Sequence, residues 1–328
     1  RVTAMKNDKK VFILIEAILA VVFLIVAAFM LFDRADDRIQ KISVVLQDSD
    51  SSQWSALKYG LEMAAADYDA ELFVVSTGGS LTVEEEEALL EKEIDNGANG
   101  IIVQPVAGEG TEEMLEKIGR KVPVMQVESA VTTDDETSAL PVARPDHYEM
   151  GAALADELLK DFNGSLEGKT LGIVANSKDT SAFQDKEEGF MDGIAQAGGE
   201  VRWTVNDYSG QEEELALPAY PEVDIIIALD DRCLIQAGEA AANKNLYGAV
   251  VYGIGNSMEA FYYLDYGSVE CLIVPDEFNV GYESVRGLIQ KLQHPFRRVS
   301  VRSLSYSVVR KETLFSADNQ NILFTMTQ

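Results

Sequence analysis

The sequence predicts an α/β protein of two lobes, each containing a parallel sheet, joined by a hinge. Short aliphatic runs typical of buried strands alternate with amphipathic helical patterns from Ile42 almost to the C-terminus, and this alternation is typical of βαβ units. The alternation pauses once, in the polar residues 128–137, and then resumes. A chain of 328 residues has room for two Rossmann-like lobes and a separate N-terminal segment.

Residues 11–32 form an apolar run that is interrupted only by Glu16. As a helix, a run of this length can cross a hydrocarbon core of about 30 Å. Residues 1–10 contain three lysines, which the positive-inside rule keeps in the cytoplasm. We therefore expect one transmembrane helix over 11–32, a linker over 33–40, and an extracytoplasmic domain held at the cell membrane. A cleaved signal peptide is the alternative, although its apolar core is usually only about 7–15 residues long.

The first strand–helix series contains the stretch around which a ligand site is expected. A strand over residues 42–46 ends at a polar loop, residues 47–54, and a helical pattern begins at Trp54. Strands are also predicted over 71–76, 100–103 and 123–127, with helices over 83–94 and 111–121. The four glutamates at 84–87 are interpreted as a solvated helix face. Because ligands bind outside the carboxyl ends of strands in open parallel sheets, we expect residues 47–54 to form one wall of a cleft.

The second series begins after the polar pause, which we interpret as the first crossing between lobes. Strands are predicted over 140–143, 170–175, 201–205, 222–229, 249–254, 269–274 and 302–310. Helices are predicted over 147–162, 180–197, 231–243, 257–264 and 280–292. The N-terminal lobe is therefore expected to contain residues 41–128 and 276–303, and the C-terminal lobe residues 129–275 and 304–328.

Composition and motifs exclude several classes of function. The formal net charge of −28 repels nucleic acid, so no nucleic-acid partner is expected. The spacing of Cys233 and Cys271 does not require a disulfide, and we favour two buried thiols. With two histidines and no Cys/His cluster, we expect no metal site. The sequence lacks a phosphate-binding glycine loop, a G-x-S-x-G elbow and an H-E-x-x-H pair, so neither a cofactor nor an enzymatic activity is expected.

Several short segments, in a consistent order along the chain, carry a resemblance to a known family. They are KISVVLQDSDSSQW at 41–54, GANGIIVQPV at 97–106, DHYEMG at 146–151, TSAFQDKEEGF at 180–190, VDIIIALDD at 223–231 and VVRKETL at 308–314. They resemble the strand ends, ligand loops, ligand helix and closing segment of the type I periplasmic sugar-binding proteins, the ribose- and galactose-binding group. The resemblance implies a type I periplasmic binding protein fold whose two lobes close on a small ligand.

The resemblance also implies a ligand site at the strand ends of both lobes. The residues that fall at or near the family's ligand positions are Asp50, Ser51, Gln53, Trp54, Gln104, Glu128, Gln184, Asp230 and Asn256. Ala107, Ser129 and Pro275 replace residues that commonly contact the sugar, which implies a hydroxylated ligand held by a different set of hydrogen bonds. Trp54 would stack on a sugar ring or anchor the helix start in the core, and both interpretations stay open.

The resemblance implies a solute-binding protein that delivers a sugar or sugar-like ligand to an ABC importer. The alternative is a membrane-tethered ligand sensor that signals to a partner such as a sensor histidine kinase, since a tether raises the effective concentration near that partner. The sequence shows no basic DNA-reading domain, which argues against a transcription regulator of the same fold. The expected partners are a small carbohydrate, the membrane through the N-terminal helix, and an ABC permease or sensor kinase.

Overall fold

A computed structural model gives the fold of the chain. It describes residues 16–24, 39–47, 49, 52–77, 81–129, 140–175, 181–205, 217–294, 299 and 302–327. Residues 16–24 are helical, and within the described ranges no helix has both the length and the hydropathy needed to cross a membrane. The span predicted over 11–32 lies mostly outside the described residues, so the anchor stays a prediction. All elements below belong to the unit formed by residues 40–328.

The first sheet is built mainly from the N-terminal series. Its strands are β1 (Gln40–Val45), β2 (Ala70–Val75), β3 (Gly100–Val103), β4 (Val124–Val127), β5 (Val142–Pro145) and β11 (Arg302–Leu304). Their order is β2-β1-β3-β4-β5-β11, and the pairings are parallel. β3 and β4 are buried along their whole length because helices cover both faces of a parallel sheet.

The second sheet repeats this arrangement. Its strands are β6 (Thr170–Val174), β7 (Glu200–Val205), β8 (Ile225–Ala228), β9 (Val250–Ile254), β10 (Cys271–Pro275) and β12 (Tyr306–Arg310). Their order is β7-β6-β8-β9-β10-β12, and only the pairing of β12 with β10 is antiparallel among these strands. The prediction of two lobes with mostly parallel sheets is therefore confirmed.

Helices cover both faces of each sheet. They are α1 (Ser55–Asp67), α2 (Val83–Asp95), α3 (Thr111–Gly119), α4 (His147–Asp161), α5 (Ser181–Ile194), α6 (Asp231–Ala242), α7 (Met258–Tyr266), α8 (Glu277–Gln293) and α9 (Ala317–Met326). The apolar residues of α1 and α8 form one core cluster of the N-terminal lobe, and those of α2 and α3 form the other. In the C-terminal lobe, α4 and α5 cover one face and α6, α7 and α9 the other.

In each lobe, a glycine lets one helix pack closely against a neighbouring helix. A Cβ atom on Gly281 in α8 would lie 2.2 Å from the carbonyl oxygen of Leu57 in α1. A Cβ atom on Gly151 in α4 would lie 2.1 Å from the carbonyl oxygen of Lys186 in α5. Both distances are far inside van der Waals contact, so these two positions require glycine for backbone-to-backbone packing.

The first crossing between lobes lies later in the chain than the sequence analysis placed it. The strand expected at 140–143 in the C-terminal lobe is β5, and it pairs with β4 in the first sheet. The polar pause at 128–137 therefore lies between two strands of one sheet. Its sequence has no helical periodicity, which is why the pattern resembled a break between lobes.

The chain crosses between the described parts of the two lobes at three adjacent places. These are Asp146, between β5 and α4; Asp276, between β10 and α8; and Ser305, between β11 and β12. Asp146 caps α4 and accepts a hydrogen bond from the Ser303 hydroxyl at 3.0 Å. Asp276 caps α8 and accepts one from the Ser305 hydroxyl at 3.2 Å. One helix of each lobe thus begins at the hinge.

Candidate ligand-binding cleft

The loops that follow parallel strands of the two sheets meet between the lobes. Gln53 lies after β1, and Asn256 lies after β9. The side-chain amide of Asn256 donates a hydrogen bond to the Gln53 carbonyl oxygen at 3.1 Å. The Ser52 hydroxyl and a Glu259 carboxylate oxygen lie 3.5 Å apart across the same boundary. The strand ends of both lobes therefore face one another, and ligands bind at such strand ends in open α/β sheets.

Gln104 holds the loop that follows β1. Its side-chain oxygen accepts a hydrogen bond from the backbone N–H of Gln47 at 3.1 Å. Gln47 in turn donates its side-chain amide to the carbonyl oxygen of Pro105 at 3.4 Å. Gln104, predicted as a ligand contact, therefore positions the loop in this structure. Asp50 and Ser51, predicted to contact the ligand from this loop, lie outside the described residues.

Trp54 belongs to the core of the N-terminal lobe. Only 6% of the residue is exposed, and it shares an apolar cluster with Leu46 and Leu57. Its indole Nε1–H donates a hydrogen bond to the Gln47 carbonyl oxygen at 3.1 Å. Of the two interpretations left open by the sequence, the structure favours the core anchor.

The predicted residues of the C-terminal lobe have distinct local roles. Asp230 caps α6 by accepting a hydrogen bond from the Cys233 backbone N–H at 2.9 Å. Asp231 is buried, which raises its pKa, and its Oδ1 accepts hydrogen bonds from the backbone N–H groups of Asn256 and Ser257 at 2.8 and 2.9 Å. Asp231 therefore fixes the loop from which Asn256 reaches the other lobe.

Gln184 is exposed on α5. Lys186, two residues further along the same helix, is half-buried, and its charge acts on the buried carboxyl of Glu128. Between them, Asp185 forms an ion pair with Arg144 of β5 at 3.2 Å. This pair joins the two lobes.

Three polar side chains meet where the chain crosses between lobes, and we call Glu128, His147 and Glu277 the hinge cluster. His147 and Glu277 are buried, and Glu128 is half-buried. Glu128 follows β4 and has a φ of +63°, in the left-handed region that non-glycine residues rarely adopt. His147 Nε2 donates a hydrogen bond to the Glu128 carbonyl oxygen at 2.8 Å. The carboxyl group of Glu277 lies near that of Glu128, whose charge raises the pKa of Glu277. Strained backbone of this kind is concentrated at functional sites.

Burial sets the protonation states of the hinge cluster. Loss of hydration, assisted by the charge of Lys186, lowers the pKa of His147 to about 3, so its ring is neutral. Burial and the nearby Glu128 raise the pKa of Glu277 well above its usual value. Burial also raises the pKa of Glu128, against the lowering effect of Lys186. Both carboxyl groups are therefore harder to ionise than exposed glutamates are.

Each member of the hinge cluster has one buried polar atom without a hydrogen-bond partner among the described residues. These atoms are Glu128 Oε1, His147 Nδ1 and Glu277 Oε2. Leaving a buried polar atom unpaired costs roughly 1–3 kcal/mol. The polar groups of a bound ligand are one source of the missing hydrogen-bond partners.

Of the hinge cluster, Glu128 was predicted from the sequence, whereas His147 and Glu277 were not. His147 and Glu277 each follow an aspartate that caps a helix, Asp146 and Asp276. This repeated arrangement was the available signal. It did not reveal that both side chains are buried beside Glu128, because that depends on the pairing of distant segments.

The remaining predictions concern thiols and metals. Cys233 and Cys271 are free and buried, as predicted, and burial raises the pKa of both thiols. Within the described ranges, no group of three or more His, Cys, Asp or Glu side chains is arranged to hold a metal ion.

Solved structures match this fold over most of the chain. A carbohydrate-transporter solute-binding protein from Agrobacterium radiobacter, in complex with D-arabinose, has a TM-score of 0.75 at 17% identity, and the match covers 88% of this chain and 99% of that one. GanP, a glucose-galactose binding protein from Geobacillus stearothermophilus, has a TM-score of 0.72 at 19% identity, with 85% and 100% covered. A XylFII–LytSN complex has a TM-score of 0.71 at 16% identity, with 84% and 99% covered.

Sequence comparison identifies the family. No curated protein matches this sequence. The profile of the periplasmic binding protein domain, in contrast, matches residues 42–295, which is most of the chain and includes the hinge cluster. The solved structures, all of low identity, agree with this match at the level of the fold. The chain therefore belongs to the periplasmic binding protein domain family.

Proposed function

We propose that the protein binds a small hydroxylated ligand, a sugar or a sugar-like molecule, between its two lobes. The hinge cluster carries the proposal, because its unpartnered buried atoms can accept hydrogen bonds from a ligand. Family membership supports it, as do similar structures in complex with D-arabinose and with α-D-tagatopyranose. The hydrogen bond between Asn256 and Gln53 supports closure of the lobes over the ligand.

A binding screen tests this proposal. The purified full-length chain is titrated with neutral pentoses and hexoses while its melting temperature is followed. A sugar that binds only the folded chain stabilises it by about 2.7 kcal/mol at a hundredfold excess over Kd. Glu128→Gln is expected to weaken that binding about tenfold, because a charged acceptor is lost. The exposed Glu149 provides the matched control, Glu149→Gln.

Two results contradict the proposal. If no pentose or hexose stabilises the chain, sugar binding is wrong. If a bound sugar is recovered chemically changed, the expectation that the protein has no enzymatic activity is wrong. Mass spectrometry of the recovered ligand distinguishes these outcomes.

We propose delivery of the ligand to an ABC importer as the cellular role. Similarity to solute-binding proteins of transporters supports this role. The alternative, a ligand sensor that signals to a partner such as a sensor kinase, is favoured by the similar XylFII, which is found in complex with LytSN. Disruption of the gene separates the two roles: delivery predicts loss of uptake of the bound sugar, and sensing predicts normal uptake with loss of the transcriptional response to it.

The proposed location is the outer side of the cell membrane, with residues 11–32 as a retained anchor. The apolar run and the lysines before it support this orientation. Membrane fractionation followed by N-terminal sequencing tests it. We expect the protein in the membrane fraction with residues 11–32 intact. A soluble product that begins near Phe29 would show instead that the segment is cleaved.

A further inference from the structure

We propose that Thr77 is a positioning residue that holds residues 47–54, the ligand loop, in the arrangement that binds sugar. The inference rests on the proposed function and adds a residue outside the predicted ligand set. Thr77 lies two residues after β2 ends, and Ser49 lies within the ligand loop. Thr77 is 4% exposed and Ser49 is 1% exposed, and buried polar groups of this kind are normally hydrogen-bonded within the protein.

Thr77 ties the end of β1 to the ligand loop through two hydrogen bonds. Its hydroxyl Oγ1 donates to the carbonyl oxygen of Leu46, the residue directly after β1, at 2.6 Å. Its backbone N–H donates to the Ser49 hydroxyl oxygen at 3.2 Å. Because a buried carbonyl oxygen needs a hydrogen-bond partner, the Thr77 hydroxyl fixes the direction in which the chain leaves the sheet.

Other side chains hold the neighbouring backbone groups of the ligand loop. Gln104 accepts from the backbone N–H of Gln47, and the Trp54 indole donates to the carbonyl oxygen of Gln47. The ammonium group of Lys58, in α1, donates to the carbonyl oxygen of Ser49. The loop is therefore fixed from the ends of β2 and β3 and from α1. A loop that is already ordered loses less conformational entropy when a ligand binds.

The same hydrogen bonds place the part of the ligand loop that meets the other lobe. Gln53 lies between Ser49 and Lys58 in the chain, in the short turn that leads into α1. Its carbonyl oxygen accepts the hydrogen bond from the Asn256 side chain at 3.1 Å. If the loop takes up other arrangements, this oxygen is no longer held opposite Asn256. Thr77 is therefore expected to influence both the cleft wall and the closed arrangement of the lobes.

Thr77→Val tests the role of the hydroxyl, because valine keeps the shape of the side chain and removes the donor to Leu46. Isothermal titration calorimetry of the full-length chain uses D-arabinose, D-xylose, D-tagatose, D-galactose and D-glucose as probes. A sugar that binds the wild-type chain is expected to bind Thr77→Val about tenfold more weakly. Thr77→Ser restores the hydroxyl, and its affinity should stay within about twofold of the wild-type value.

The matched control for this comparison is Thr204→Val, which makes the same change at an exposed position of β7 and should leave affinity unchanged. Wild-type affinity in a folded Thr77→Val protein overturns the inference. So does an equal loss in Thr77→Val and Thr77→Ser, because the hydroxyl would then not be responsible.

A double-mutant cycle with Asn256→Ala separates positioning of the loop from a general effect on stability. In the wild-type background, Asn256→Ala should weaken sugar binding by roughly twofold to tenfold. In the Thr77→Val background the factor should be smaller, because the Gln53 carbonyl oxygen is already less well placed. A purely structural role of Thr77 predicts the same factor in both backgrounds, and that result overturns the inference.

Lys58→Met provides a second variant that does not alter the buried Thr77. Methionine keeps most of the apolar stem of lysine and removes the donor to the Ser49 carbonyl oxygen. Sugar affinity is expected to fall several-fold, and Asn256→Ala should again cost less in this background. Lys92→Met, at an exposed position of α2, serves as its control and should bind as the wild-type chain does. Wild-type affinity in Lys58→Met contradicts a loop held in place for binding.

The outcomes distinguish this inference from the proposed function. If a sugar binds the wild-type chain and the Thr77→Val chain equally well, the positioning role is wrong and sugar binding stands. If none of the sugars binds the wild-type chain, sugar binding is wrong and the inference that rests on it falls as well.

Discussion

At the scale of single residues, burial decides between the two roles that the sequence leaves open for Trp54. Its indole lies in the same apolar cluster as Leu46 and Leu57 and donates its one proton to a backbone carbonyl oxygen. Both contacts hold the indole within the N-terminal lobe. Its main contribution is therefore expected to be to stability.

Trp54→Ala is expected to lower the free energy of unfolding by about 3–5 kcal/mol, because it removes buried apolar contacts and leaves a cavity. Chemical denaturation of the full-length chain measures this change. Tyr262→Ala, at an aromatic residue that is 59% exposed, serves as the control and should change stability little. An unchanged stability with lost sugar affinity in Trp54→Ala would instead assign the indole to the cleft.

The structure also corrects the prediction that Glu86 is exposed to solvent. The sequence predicts a solvated helix face at this position, but the residue is fully buried, and its Oε2 accepts a hydrogen bond from the Val106 backbone N–H at 3.2 Å. Its Oε1 has no partner among the described residues. Burial raises the pKa of Glu86 from 4.5 to about 7, because the charged form loses its hydration.

Stability is therefore expected to fall as the pH rises from about 4.5 to about 7 through the effect of Glu86. Over that range the folded chain keeps a proton that the unfolded chain has lost, so raising the pH favours the unfolded chain. Glu86→Gln removes this effect and keeps an acceptor for Val106. It should raise the free energy of unfolding by roughly 2–3 kcal/mol at pH 8 and change it little at pH 4.

Denaturation curves of Glu86→Gln at the two pH values test this expectation. The exposed neighbour Glu84 offers the matched control, and Glu84→Gln should have a small effect at both pH values. A stabilisation of Glu86→Gln that is the same at pH 4 and pH 8 would contradict the titration of a buried carboxyl group.

At the scale of secondary-structure elements, the close contact between α1 and α8 depends on a glycine, which has no side chain. Gly281 faces the backbone of α1, and a methyl group there would meet the Leu57 carbonyl oxygen. Gly287, further along α8, faces instead the terminal methyl group of Met125, at 2.7 Å from its ideal Cβ position. A flexible methionine can move aside, whereas the backbone of a packed helix cannot.

Gly281→Ala is therefore expected to lower the free energy of unfolding by roughly 1–3 kcal/mol or more, because the two helices must separate. Gly287→Ala places the same methyl group in the same helix. Its cost should be smaller, since movement of Met125 and the higher helix propensity of alanine both offset it. Melting temperatures of the two variants compare them directly, and equal losses would argue against the backbone contact.

At the scale of the whole molecule, contacts at the crossings and at the strand ends relate the two lobes. Hydrogen bonds join the crossings at Asp146 and Asp276 to Ser303 and Ser305. At the strand ends, Asn256 provides a side-chain hydrogen bond from one lobe to the other. Such a contact exists only when the lobes are together, so it stabilises the closed arrangement relative to an open one.

Asn256→Ala is expected to shift the population of the full-length chain towards the open arrangement. A hydrogen bond worth about 0.5–1.5 kcal/mol should change the apparent affinity for a bound sugar by roughly twofold to tenfold. Small-angle scattering should show a larger radius of gyration for the variant at subsaturating sugar. Asn245→Ala, at an exposed loop position, should leave affinity and size unchanged, and matching behaviour of both variants would show that the bridge does not influence closure.

The sequence by itself determined the class of the fold and most of its elements. Alternating apolar runs and amphipathic patterns are local properties, so they locate strands such as β3 and helices such as α6 with few contributions from distant residues. The order of short segments along the chain also indicated the family. The same local pattern predicted that Gln53 and Asn256 lie just after strands, where ligand loops are expected in a parallel sheet.

The tertiary structure alone decided which sheet β5 joins, that Glu86 is buried, and that Glu128, His147 and Glu277 meet at the hinge. β5 is a four-residue strand, and its place depends on hydrogen bonds to β4, which its own residues do not specify. The hinge cluster combines three segments that are far apart in the chain. Burial and pKa depend on all the groups packed around a side chain, and only the folded arrangement brings those groups together.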